Sequence, residues 1–112
     1  MTDEISPAVV AAAWAFVRDR AALPADTLPP PIVYDSDLLM RAAHGRPGAL
    51  SAYWQGEVIF PTNGYSDEVS GPLLAHEFTH HAQHLLGLVM SAGDLEAQAY
   101  AAQAAFKAQM NA

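Results

Sequence analysis

The chain contains no cysteine. Disulfide cross-links and thiolate metal sites are excluded, so any metal would have to be held by nitrogen and oxygen. Positive charge is nearly as scarce, with five Lys and Arg against twelve Asp and Glu and a formal net charge of −7. Phosphate backbones are gripped by clustered cations, so neither nucleic acid nor an anionic membrane surface is an expected partner. Long apolar runs are missing too. Val9–Val17 follows Asp3 and Glu4 rather than a basic segment, is closed by Arg18, Asp19 and Arg20, and is too short to span a bilayer. No secretory leader is expected, and the cytoplasm is the expected compartment. What remains, 52% hydrophobic and 15% charged over 112 residues, describes one compact domain with a single core.

Against this background Leu73–Gly87, LLAHEFTHHAQHLLG, stands out. His76-Glu77-Phe78-Thr79-His80 reads H-E-x-x-H, and residues four apart on a helix share a face, so both imidazoles can reach one metal ion. Glu77 lies about a third of a turn away, close enough to address water at that ion. With five His in the chain, the pattern would arise by accident in roughly one such sequence in a hundred. Leu74, Phe78, Ala82 and Leu85 form an apolar stripe nearly opposite the His76/His80 face, so one side can enter a core while the other holds a metal.

Two ligands from one helix do not complete a site. The continuation HExxHxxGxxH fails, because position 83 is Gln and position 86 is Leu. Beyond breaks at Gly87 and Gly93, Asp94–Ala102 opens a second helix that can fold back and deliver a carboxylate from Glu96. HEFTH followed by this Glu-Ala-x-Ala helix resembles the gluzincin metallopeptidases, and the small size resembles minigluzincins and ImmA/IrrE-like peptidase domains. The resemblance covers roughly residues 30–110.

The resemblance implies zinc on His76, His80 and Glu96, with Glu77 as general base, in an enzyme that hydrolyses extended peptides. It also implies that the strand Glu57-Val58-Ile59-Phe60 forms the upper rim of the cleft and pairs with substrate; the same stretch reads equally as an ordinary edge or central strand. Larger gluzincins supply an oxyanion donor from a C-terminal lobe. Here that donor, or a residue orienting the ligands, is expected from Tyr65, His81, His84 or Tyr100. Tyr100 stands where some gluzincins carry an Asp that orients a zinc-bound His, so this orienting shell is expected to differ. His84, one turn beyond His80, drifts out of phase with His76 and is expected off the metal.

The remaining signals predict an α+β fold with an N-terminal helix, about three strands, the HExxH helix and a C-terminal glutamate helix. Ser6-Pro7 starts a helix over about 7–22, with Val10, Trp14, Val17 and Ala21 at helical spacing. Pro24 and Pro29–Pro31 make a stiff connector to a strand at Ile32–Tyr34. Asp35, Ser36 or Asp37 caps a brief helix over Leu38–Ala43 that stops at Gly45, and Gly45–Gly48 forms a turn. Ala49–Trp54 and Glu57–Phe60 read as a hairpin joined by Gln55-Gly56. Tyr65–Ser70 reads as a loop with Ser70 capping the metal helix, Gly87 stops that helix, and Ser91 or Asp94 caps the last. Leu95, Ala99, Ala102 and Phe106 are its expected buried side. Two functional classes follow: a minimal zinc metallopeptidase, or a zinc-bearing domain that binds or senses a peptide or partner without turnover. A structural zinc is the poorest fit, since such sites usually have four protein ligands and commonly use Cys.

Overall fold

The Ser6-Pro7 start signal acts as expected. In the structure, a computed structural model that describes residues 4–44 and 48–112, helix α1 spans Pro7–Arg20. The Ser6 hydroxyl accepts from the Val9 amide at 3.4 Å, and Pro7 sits where a backbone N–H would lack a helical partner. The proline-rich connector is tied back by Trp14, whose indole N–H donates to the Thr27 carbonyl at 2.8 Å.

Strand β1 (Ile32–Tyr34) leads into α2 (Ser36–Ala42), capped by the Asp35 carboxylate accepting from the Leu38 amide at 3.0 Å. The expected stop at Gly45 and most of the Gly45–Gly48 turn lie outside the described residues. Strands β2 (Ala52–Trp54) and β3 (Glu57–Phe60) form the predicted hairpin. Its two turn residues, Gln55 and Gly56, have φ of 52° and 80°, the left-handed pair that matches strand twist in a two-residue turn. The expected strand over Ala49–Trp54 is shorter in fact. Before Ala52 the chain leaves the sheet, drawn by a Tyr65 hydroxyl bond to the Leu50 carbonyl and by a side-chain bond from Ser51 to Glu77.

The sheet is mixed, in the order β1-β3-β2, with β1 parallel and β2 antiparallel to β3. This overturns the expectation that Glu57–Phe60 offers a docking edge. Both flanks of β3 are occupied, and Val58, Ile59 and Phe60 are fully buried. Its unbroken apolar run suits a strand covered on both faces.

Helix α3 spans Asp67–Leu86 and starts a turn before the expected Ser70. Asp67 and Glu68 favour the positive end of the helix dipole, and the Asp67 carboxylate also accepts from the Ser6 amide at 3.1 Å. Pro72 therefore lies inside the helix, forfeiting one helical hydrogen bond. Gly87, with φ of 63°, ends α3 as predicted. Leu85, expected in the buried stripe, is 47% exposed, because the last turn of α3 projects past the core. Helix α4 (Ala92–Met110) is capped by Ser91, whose hydroxyl accepts from the Asp94 amide.

The core joins Ala13, Trp14 and Val17 of α1, Val58 and Phe60 of β3, Leu74, Ala75, Phe78 and Ala82 of α3, and Phe106 of α4. Trp14 meets Phe78 edge to face at 5.4 Å. Helices α3 and α4 form an antiparallel hairpin: Gly71 faces Phe106 and Met110, His76 faces Gln103, and Gln83 faces Leu95. A Cβ on Gly71 would lie 2.6 Å from Met110 Sδ and 3.3 Å from Phe106 Cε2, so these side chains pack directly on the bare α3 backbone there. The hairpin brings Glu96 over the histidine pair. No helix among the described residues is long and apolar enough to cross a membrane.

Candidate metal centre

His76 and His80 point from one face of α3, as the four-residue spacing requires, and Glu96 comes from the second turn of α4. One ligand atom from each lies within 4.8 Å of the others, a group that could hold a metal ion. Glu96 Oε1 is 3.1 Å from His76 Nε2 and 2.5 Å from His80 Nε2. Each imidazole turns its other nitrogen to a glutamine: His76 Nδ1 lies 2.9 Å from Gln103 Oε1, and His80 Nδ1 lies 2.9 Å from Gln83 Oε1.

The donor chemistry fits a cation. A carbonyl oxygen accepts only, so each Nδ1 carries the proton given to its glutamine. In neutral imidazoles both Nε2 lone pairs then face a carboxylate oxygen that also has only lone pairs. A positive charge among the three relieves that repulsion. Two nitrogens and one oxygen, with histidines donating their far N–H to a carbonyl, make a three-ligand set of the kind that leaves zinc an open position.

The group opens into a cavity of about 430 Å³ lined by Ser51, Ala52 and Tyr53 along β2 and the segment before it, by Leu73, His76, Glu77 and His80 of α3, and by Glu96, Tyr100 and Gln103 of α4. Glu77 is 6% exposed and faces this cavity without belonging to the ligand group. The Ser51 hydroxyl donates to Glu77 Oε2 at 2.7 Å. Burial pushes the Glu77 carboxyl above its ordinary range, against the lowering effects of the Ser51 bond and of His76 and His80. For Glu96 burial also acts upward, but once the facing His80 and His76 rings carry a proton on Nε2 their hydrogen bonds and charges outweigh it and hold that carboxyl low. The two carboxyls are thus shifted in opposite directions, Glu77 upward and Glu96 downward.

The other expected residues separate clearly. Tyr100 lines the cavity, its ring edge-on to His76 with centroids 4.6 Å apart. Tyr65 does not line it, because its hydroxyl is spent on the Leu50 carbonyl at 2.9 Å. His81 faces the body of the protein, its Nδ1 2.8 Å from the Tyr53 hydroxyl and its ring 6.0 Å from Trp14. Burial, then His84, lowers its pKa. His84 is exposed and outside the ligand group. Glu57, Val58, Ile59 and Phe60 are likewise absent from the cavity wall.

Sequence reasoning missed Ser51, Gln103 and the role of Gln83. Ser51 meets Glu77 across 26 positions and Gln103 meets His76 across 27, and neither carries a local pattern. Gln83 had a signal, being one turn after His80 on the same helix, where an i, i+3 contact is geometrically available. No protein-family model, no curated protein and no solved structure matches the chain.

Proposed function

We propose that the protein is a minimal zinc metallopeptidase of gluzincin type, hydrolysing extended peptides with Glu77 as general base. The observation that carries this reading is a buried carboxyl of raised pKa that faces the cavity beside a His-His-Glu group yet is not one of its members. Holding a metal requires no acid at that position, whereas hydrolysis does.

His76, His80 and Glu96 would hold the metal. A bound zinc ion supplies Lewis acidity, polarising a scissile carbonyl and acidifying water. Glu77 takes the proton from the attacking water and returns it to the leaving amine. The bond from Ser51 engages Oε2 and fixes the carboxylate plane, leaving Oε1 for the water. Tyr100, on the wall beside His76, is the side chain placed to donate to the developing oxyanion. Substrate docks along the outer edge of β2, the strand that has a neighbour on one side only and borders the cavity. Backbone pairing there aligns a carbonyl with the site while reading few side chains.

Zinc-loaded protein incubated with a mixed library of unstructured peptides tests this. Glu77→Gln should retain zinc and lose at least about 10²-fold in cleavage, the usual contribution of a positioned base. Saturable peptide binding with no Glu77-dependent product would instead identify a zinc-bearing binding or sensing domain.

A further inference from the structure

Gln83 touches both halves of the candidate centre. It is 6% exposed. Its Nε2 donates to the Leu95 carbonyl at 2.9 Å and to Gln98 Oε1 at 3.1 Å, and its Oε1 faces His80 Nδ1 at 2.9 Å. The two ends of an amide look alike in shape, but the Leu95 carbonyl distinguishes them. It carries lone pairs only, so the NH₂ end must lie against it and the oxygen must face His80. That oxygen accepts only, so His80 must hold its proton on Nδ1. Nε2 is then left as the lone pair aimed at Glu96 and the cavity.

We propose that Gln83 is a positioning residue for the metal centre, which sets the tautomer of His80 and fixes the α4 turn carrying Glu96 through one buried amide. This rests on the metallohydrolase reading above. An HExxH helix by itself leaves each imidazole free to choose either tautomer, and only one can ligate through Nε2. Leu95 is the immediate neighbour of Glu96, so the group that orients His80 also registers the third ligand against it. His76 has no equivalent arrangement. Its partner Gln103 accepts from Nδ1 but makes no bond to the Glu96 turn.

The two ends of the amide can be tested separately. Gln83→Met keeps the volume and removes both functions. Gln83→Glu keeps an acceptor for His80 and loses the donor to Leu95. Zinc affinity, measured by chelator competition on the full chain, should fall about 10–100-fold in Gln83→Met, the usual cost of losing an orienting partner. Gln83→Glu should recover most of that loss, even though both variants melt lower when metal-free. A role confined to tying the helices together would leave Gln83→Glu as weak as Gln83→Met. Nitrogen-15 spectra of the zinc-loaded wild type should show His80 protonated at Nδ1 and metallated at Nε2. The opposite assignment, unchanged affinity in Gln83→Met, or a Glu variant no better than Met would each overturn the proposal while leaving the metal centre standing. A wild-type protein that takes up no zinc would overturn the centre itself, and the proposal with it.

Discussion

Tyr100 lies one turn after Glu96 on the cavity wall, and its environment points to a task of its own. The ring packs edge-on against His76, yet the residue is 58% exposed. Its hydroxyl has no partner among the described residues, whereas those of Tyr34, Tyr53 and Tyr65 are all engaged. On the proposed hydrolytic reading, a free phenol on the cavity wall can donate to developing negative charge without breaking an existing bond. Tyr100→Phe should therefore keep zinc affinity and thermal stability near wild type while lowering kcat about 10²–10³-fold, the effect of losing one oxyanion donor. Zinc titration and peptide-cleavage kinetics on the same preparation check both halves. An unchanged kcat would show that Tyr100 only packs on His76.

Three tyrosines act as seams between elements. Tyr34 of β1 accepts from the Ile5 amide at the N-terminus, Tyr53 of β2 is hydrogen-bonded to His81 of α3, and Tyr65 ahead of α3 donates to the Leu50 carbonyl. Burial raises the pKa of each above 10.0. The sign follows from linkage: above the ordinary tyrosine value the unfolded chain loses these protons before the folded one does. Stability from the seams is complete below about pH 10 and falls as pH climbs through the folded-state values. Urea midpoints should drop across that range, and three of the four tyrosines should ionise late in a spectrophotometric titration. Phenylalanine at Tyr34, Tyr53 and Tyr65 together should flatten the alkaline slope. These seams also show where sequence reasoning stops. His76, Glu77 and His80 were legible because helical spacing alone puts them together, and the hairpin was legible from Gln55-Gly56. The order of strands was not. Four apolar-leaning residues at Glu57–Phe60 suit an edge or a centre alike, and only β1 pairing across the intervening α2 makes β3 central. The start of α3 was misplaced because Pro72 reads as a first-turn residue, while Asp67 and Glu68 were already good helix openers. Ser51 on Glu77 is a tertiary meeting with no local trace.

At the scale of the whole molecule the candidate centre lies between α3 and α4, two helices that already share a core. Phe106 of α4 is buried with Phe78 and Leu74 of α3, and Phe16 of α1 packs on Phe106 with centroids 5.4 Å apart. Apolar burial of this kind stabilises by about 1.5–3 kcal/mol per side chain, so the hairpin is expected to close without a metal, unlike the small domains that unfold when stripped of zinc. Metal-free protein should therefore keep its helical circular dichroism and melt cooperatively. A ligand that binds only the folded state still adds stability by mass action, about 2.7 kcal/mol at a free concentration of 100 times Kd. For a domain of about this size that corresponds to a rise in Tm of roughly 10–20 °C. Removing such a metal would leave Glu96 Oε1 against two imidazoles. Calorimetry with and without a strong chelator should then give two cooperative melts separated by that interval. His80→Ala should show the lower Tm in both conditions, with its helical signal intact. Loss of the cooperative melt on chelation would mean that this core cannot hold the chain without a metal. Coincident melts in the wild type would mean that no metal binds the folded state.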